Sequence, residues 1–115
     1  MKYKNTLQKG SVRFIVFKEK NTWYGAGLEF NIVESGSTPQ EAMLLLFEAL
    51  RGYIESAKKI KARPNILNQK IDPEYEQVWR ALSKPKGKQK ELKSVFSSGY
   101  MNIPALMGRL SSVPV

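Results

Sequence analysis

The sequence lacks cysteine and histidine, and these two absences exclude several kinds of functional site. Without cysteine there is no disulfide, no thiol nucleophile and no soft metal site, as is usual in a reducing compartment. Without histidine the chain lacks the commonest general base and metal ligand, so its serines have no histidine to activate them. We therefore expect a protein that is not an enzyme and that holds neither a metal nor a cofactor.

Long apolar runs are also absent. No segment approaches the roughly 18–20 consecutive apolar residues that cross a bilayer, and the N-terminal sequence MKYKN has no apolar signal-peptide core. A chain of 115 residues with 42% hydrophobic content forms one domain with a modest core. The expected location is cytoplasmic, without membrane contact.

Acidic residues are scarce in the second half of the chain. Residues 1–50 carry six Lys or Arg against five Glu, whereas residues 51–115 carry thirteen against five acidic residues. Most of the net charge of +9 therefore lies in the second half. Such an excess favours polyanionic partners and weakens association with basic proteins.

The first third of the chain predicts three strands. Residues 12–17 are apolar on both faces, as in a central strand, and the polar residues 18–21 form a turn. Residues 23–28 form the returning strand, in which Gly25 and Gly27 indicate a bulge or a close approach of another backbone. A third strand follows at residues 30–33.

A turn and a helix start follow these strands. Gly36 is free to adopt a positive φ in a tight turn. Thr38 is a suitable N-cap, Pro39 suits the first helical position and Glu41 suits a capping box. The helix should begin at Pro39 and continue to about Lys61.

The predicted helix has two apolar rows. The row that should pack on the sheet contains Ala42, Leu45, Leu46, Ala49, Tyr53, Ala57 and Ile60. The second row contains Met43, Phe47, Leu50 and Ile54, and it either widens this contact or forms an interface with a partner or another copy. The candidate interface residues are Met43, Leu44, Phe47, Glu48, Leu50, Ile54 and Glu55. If the second row is an interface, a homodimer or a higher homo-oligomer follows.

The same block resembles the HicB-like antitoxin family over about residues 11–61. The resemblance rests on Trp23-Tyr24-x-Ala26, on Leu28-x-Phe30-x-Ile32-Val33, on Glu34-x-Gly36-x-Thr38-Pro39-x-Glu41-Ala42, and on Leu46, Ala49 and Tyr53. It implies an α+β, truncated RNase H-like fold of strand-strand-strand-helix-strand order, with three or four antiparallel strands packed on one long helix. It also implies that the protein binds and silences a small toxin ribonuclease.

The C-terminal half reads as an extension of a module spanning residues 1–71. Pro64 ends the long helix, and residues 65–71 form either a short fourth strand or a connector. Asp72-Pro73 is a second N-cap signature, followed by a short amphipathic helix at 73–82. Residues 72–115 show no clear helix-turn-helix or ribbon-helix-helix pattern.

The segment 83–93 is rich in lysine and poor in apolar residues, so it is either a flexible solvated linker or an arm that contacts phosphates. The candidate nucleic-acid-binding residues are Lys84, Lys86, Lys88, Lys90 and Lys93. Hydrophobicity returns in residues 94–115, which we expect to dock on the body or on a neighbouring subunit.

Two functions remain open. The resemblance implies an antitoxin-like protein that inhibits a toxin ribonuclease, or an orphan member without such a partner. The alternative is a nucleic-acid-binding or regulatory protein that uses the basic segment. Glu29, Glu34 and Glu48 are expected to be surface charges rather than ligands of catalytic metal ions.

Overall fold

The computed structural model describes residues 4–82 and 94–108, which form a four-stranded antiparallel sheet between helices. The strands are β1 (Ser11–Glu19), β2 (Thr22–Gly27), β3 (Ile32–Gly36) and β4 (Ser94–Asn102), in the order β3-β2-β1-β4. The helices are α1 (Pro39–Lys59), α2 (Pro73–Leu82) and α3 (Ile103–Gly108), with a 3-10 helix at Pro64–Leu67. The expected α+β class, the long helix and the short helix in the extension are confirmed.

The two faces of the sheet bury different helices. Along β1, Val12, Phe14 and Val16 contribute to the core under α1. Ile15 and Phe17 point to the other face, where they pack with Val78 of α2. Because β1 is covered on both faces and paired on both edges, it is the central strand that its apolar sequence predicted.

The third strand begins later than the sequence indicated. Phe30 lies in the turn between β2 and β3, and Asn31 in the same turn has a positive φ of 56°. Asparagine tolerates this conformation better than most residues. The assignment of Phe30 to a strand is therefore wrong; its buried ring packs 4.9 Å from the ring of Tyr53 of α1.

The start of α1 follows the predicted capping chemistry, except at Gly36. The Thr38 hydroxyl accepts a hydrogen bond from the Glu41 N–H at 3.0 Å. Gly36 is not in a positive-φ turn but ends β3. A Cβ there would lie 2.8 Å from the Ala42 nitrogen, so glycine is needed because the strand passes close to the helix.

A pair of glycines on β2 sets the rotation of α1. A Cβ on Gly25 would lie 3.0 Å from the Leu46 Cβ, and one on Gly27 would lie 2.7 Å from Leu50 Cδ2. The predicted close approach of another backbone is confirmed at Gly25, where a Cβ would also lie 3.0 Å from the Ala42 carbonyl oxygen, whereas at Gly27 the close neighbour is a leucine side chain. The helix presents Ala42, Leu46, Leu50, Ile54 and Ala57 to the core.

This rotation corrects the predicted packing face. Leu50 and Ile54, which the sequence placed on the second row, are fully buried, and Ile60 at the helix end is 73% exposed. Leu45 and Ala49 are partly exposed.

The fourth strand comes from the C-terminal tail and not from residues 65–71. Residues 65–71 form part of the 3-10 helix and a connector rather than a strand. The connector is held by Asn5, whose side chain donates to the Leu67 carbonyl at 2.9 Å, and by Asn68, which donates to the Asn5 carbonyl at 2.9 Å. β4 then pairs with β1, so the tail docks on the chain's own body.

Candidate functional site

The exposed side of α1 presents apolar residues beside the end of β4. Leu44 is 58% exposed, and Met43 and Phe47 are partly exposed. The Phe47 ring meets the Phe14 ring edge-on at 5.2 Å, which fixes its position at the border of the core. These three members of the predicted interface remain accessible. Leu50 and Ile54 do not, so their assignment to an exposed interface row is wrong.

A groove of about 260 Å³ runs beside Leu44, between α1 and the junction of β4 with α3. Its lining residues are Leu44, Phe47, Glu48, Arg51, Met101, Ala105 and Leu106. The sequence did not indicate the last three as site residues. The signal for them was the return of hydrophobicity after the lysine-rich segment, which gave no information on where the tail would dock.

A line of acidic residues borders this apolar surface. Glu41, Glu48 and Glu55 are seven residues apart, so they share one side of the helix, and all three are exposed. The Glu41 carboxylate accepts from the Ser37 N–H at 2.7 Å and from its hydroxyl at 3.0 Å, and these bonds lower the pKa of Glu41. Glu48 and Glu55 form no ion pair with any described residue.

Charge is separated along α1. Residues 39–50 contain two Glu and no Lys or Arg, although the whole chain carries +9. The basic residues lie at the other end, where Lys58, Lys59, Lys61 and Arg63 are exposed. The groove therefore lies at the acidic end of the helix. Among the described residues that line it, Arg51 is the basic one.

The opposite face of the sheet carries a bracket of charged residues around Arg13. Its guanidinium bonds to Glu29 at 2.6 Å and to Glu76 of α2 at 3.1 Å, and lies 5.3 Å from the centre of the Trp79 ring. Arg80 also bonds to Glu76, at 3.2 Å. The prediction that Glu29 is a simple surface charge is therefore wrong, because its carboxylate is largely covered and ties the turn after β2 to β1.

The Arg13 bracket changes the titration of its members. Hydrogen bonding to Arg13 lowers the pKa of Glu76 against the opposing effect of burial, and Arg80 adds to the lowering. Burial lowers the pKa of Arg13, but its bonds to Glu29 and Glu76 outweigh this effect and raise it. These charges are paired with one another and serve to fasten α2 to the sheet.

An open cavity of about 550 Å³ adjoins the Arg13 bracket. Its ionic groups include Arg13, Glu29 and Glu76, which already bond to each other. Within residues 4–82 and 94–108, no three carboxylates lie close enough to hold a metal ion. No helix in this part of the chain is both long and apolar enough to cross a bilayer.

The predicted nucleic-acid-binding lysines, at positions 84, 86, 88, 90 and 93, lie outside the described residues.

The fold and the α1 surface define a small α+β protein with a helix on each face of its sheet and an apolar groove with an acidic border. Comparisons of the chain with protein-family models, with curated proteins and with solved structures find no match.

Proposed function

We propose that this protein is a non-enzymatic, antitoxin-like binding module, which inhibits a small toxin ribonuclease by covering it with the acidic end of α1. The observation that carries the proposal is the exposed apolar groove around Leu44 at that end of the helix. The resemblance of residues 11–61 to HicB-like antitoxins supplies the class of partner.

The chemistry of the groove supports a protein partner. Isolated exposed apolar residues are ordinary, but here Leu44 continues into Phe47 and into Met101 of β4. A contiguous apolar patch rimmed by charges is typical of protein-binding surfaces.

The charges support a basic partner. A ribonuclease must attract phosphates and is expected to be basic, so a +9 inhibitor would repel it over most of its surface. Glu41, Glu48 and Glu55 offer the local exception, and Glu48 and Glu55, which form no ion pair with a described residue, can bind basic side chains of the partner. Such complementary charges speed association and fix orientation.

The test is to express a small basic protein encoded by an adjoining gene, alone and together with this chain. We expect growth arrest by the former, rescue by this chain, and a complex that survives purification. Leu44→Glu should weaken the complex at least about tenfold, because a charge would replace the central apolar contact. The matched control is Ile60→Glu, which changes an apolar residue that is also exposed and that caps the other end of α1.

A second pair of variants tests the charge argument. Glu48→Lys with Glu55→Lys should abolish rescue, whereas Lys58→Glu with Lys59→Glu, the same number of reversals at the basic end, should not. If both double variants rescue growth equally, the acidic side of α1 is not the binding surface. Rescue that persists in Leu44→Glu would contradict the groove itself.

Nucleic-acid binding is the second candidate, favoured by the exposed cluster of Lys58, Lys59, Lys61 and Arg63 at the end of α1. If the five predicted lysines between residues 84 and 93 also bind phosphates, association with RNA or DNA should weaken steeply with salt. Replacing all five with Gln should then flatten the dependence of log K on log salt by about 0.7–0.9 for each phosphate that is no longer neutralised. Binding that is insensitive to salt would rule out this function.

A further inference from the structure

β4 is a long edge strand whose only protection against pairing, among the described residues, is the bulge at Phe96. It spans nine residues, Ser94–Asn102, and contains no charged residue and no proline. None of the described residues pairs with its outer side, since β4 ends the strand order. The other edge strand, β3, has only five residues, and Glu34 lies at its centre. Short length and charge are common ways to block an edge, so of these two edges β4 is the one suited to pairing.

Hydrogen bonds at one end of the ladder fix which backbone groups of β4 point outward. The Ile103 N–H donates to the Gly10 carbonyl at 3.0 Å, one step beyond the pair of Ser11 with Asn102. Hydrogen-bonded and non-hydrogen-bonded pairs alternate in an antiparallel ladder. Ser98 and Tyr100 therefore occupy non-hydrogen-bonded positions towards β1 and direct their N–H and C=O groups to the open edge.

The hydrogen bonds between β1 and β2 indicate the same alternation of backbone directions along β1. The Arg13 carbonyl accepts from the Leu28 N–H at 2.9 Å, and the Arg13 N–H donates to Glu29 at 2.8 Å. The backbone groups of Arg13 thus point towards β2, so its partner on β4, Tyr100, cannot receive them.

We propose that two copies of this protein pair through β4, with Gly99 on the two-fold axis, to form a continuous eight-stranded antiparallel sheet. In this register Ser98 of each copy opposes Tyr100 of the other, and each of the two pairs exchanges two backbone hydrogen bonds. The two Gly99 residues face each other in the non-hydrogen-bonded position, where side chains come closest. A Cβ at Gly99 would lie 3.2 Å from the Phe14 ring of the same chain, which accounts for the glycine and leaves no side chain at the axis.

A second copy fits this edge for a reason of symmetry. Antiparallel pairing about a two-fold axis brings the same surface of both copies together, so each outward donor finds its acceptor without any other sequence. The net charge of +9 opposes self-association, but β4 contains no charged residue and adds no repulsion at the junction itself. The exposed Tyr100 ring, held edge-on by Trp79 at 5.3 Å, adds an aromatic contact at the junction.

This interface differs from the α1 groove and does not depend on the proposed antitoxin function. The register shift between Val16 and Phe17 interrupts β4 opposite Phe96, which confines regular edge pairing to the part of β4 that follows. A short pairing of this kind predicts a reversible dimer.

The test is sedimentation velocity of the full chain from about 1 μM to about 1 mM, the range expected for a contact of this size. We expect a monomer–dimer equilibrium, which Ser98→Lys weakens at least about tenfold by placing two like charges beside the axis. The matched control is Ser35→Lys, a substitution of a serine on the other edge strand, which should leave the equilibrium unchanged.

Ser98→Pro removes one outward N–H and should also weaken the dimer while leaving the β1–β4 hydrogen bonds in place. Its folding is checked by circular dichroism, and Ser98→Lys keeps the test valid if the proline variant unfolds. A monomer over the whole range would overturn the proposal. So would equal effects of the two lysine variants, or a dimer that Phe47→Glu dissociates but Ser98→Lys does not.

Discussion

At the scale of single residues, Arg13 of β1 joins its strand to the turn after β2 and to α2. It holds Glu29 after β2 and Glu76 on α2, and its guanidinium covers Trp79. Arginine suits this position because its planar fork of donors can bond two carboxylates while its face contacts an aromatic ring. Removing Arg13 would take this cation away from two partly buried carboxylates.

Glu76 makes stability depend on acid pH. Its pKa in the folded protein is lower than the ordinary 4.5 of the unfolded chain. Unfolding in acid therefore takes up a proton, so this stabilisation is complete above the unfolded pKa and is lost as the pH falls through the folded pKa. Glu76→Gln should lower the free energy of unfolding at pH 7 by about 1 kcal/mol and have less effect in strong acid. Urea titrations between pH 7 and pH 2 measure this.

The control for that experiment is Glu48→Gln, because Glu48 is exposed and forms no ion pair with a described residue. It should change neither stability nor its dependence on pH. If Glu76→Gln behaves in the same way, the bond between Arg13 and Glu76 does not stabilise the fold.

At the scale of elements, α1 packs on the sheet through one side, which faces Gly25 and Gly27 of β2. Three consecutive leucines point in different directions around the helix, and their exposure differs accordingly. Leu46 is fully buried, Leu45 is partly exposed and Leu44 is 58% exposed. Leu46→Ala should cost about 2–5 kcal/mol, because the cavity faces Gly25, which has no side chain to fill it.

Leu44→Ala provides the comparison and should cost less than about 0.5 kcal/mol, as surface substitutions usually do. Chemical denaturation of both variants measures the difference. Similar costs at the two positions would mean that α1 does not pack on the sheet through the side described here.

The sequence predicted the start of α1 correctly but not the rotation of the helix. Thr38 and Pro39 act through contacts within one turn, and such contacts can be read locally. Which apolar row becomes buried depends on the surface that receives it. Gly25 and Gly27 form a recess that accepts Leu46 and Leu50, and periodicity within the helix alone contains no information about that recess.

At the scale of the whole molecule, the class and the order of elements followed from the sequence, but the position of the last strand did not. Ser11 pairs with Asn102, 91 positions later, and no local pattern specifies so distant a partner. The same limit applies to the groove, which forms only where α1 meets the junction of β4 and α3. Leu44 and Glu48 were predicted as interface residues from the helix, while Met101 and Leu106 required the tertiary structure.

The late arrival of β4 also has a consequence for how the chain is made. β1 meets β2 through a short turn, since Glu19 pairs with Thr22, but its other neighbour is the last of the four described strands to be synthesised. At about 5–20 residues per second, roughly 4–15 seconds separate the synthesis of Gly27 at the end of β2 from that of Asn102 at the end of β4. During that interval the nascent chain presents β1 with a vacant edge to any extended segment nearby. Its own synthesis therefore contains a period in which the protein is vulnerable to misassembly and open to chaperones.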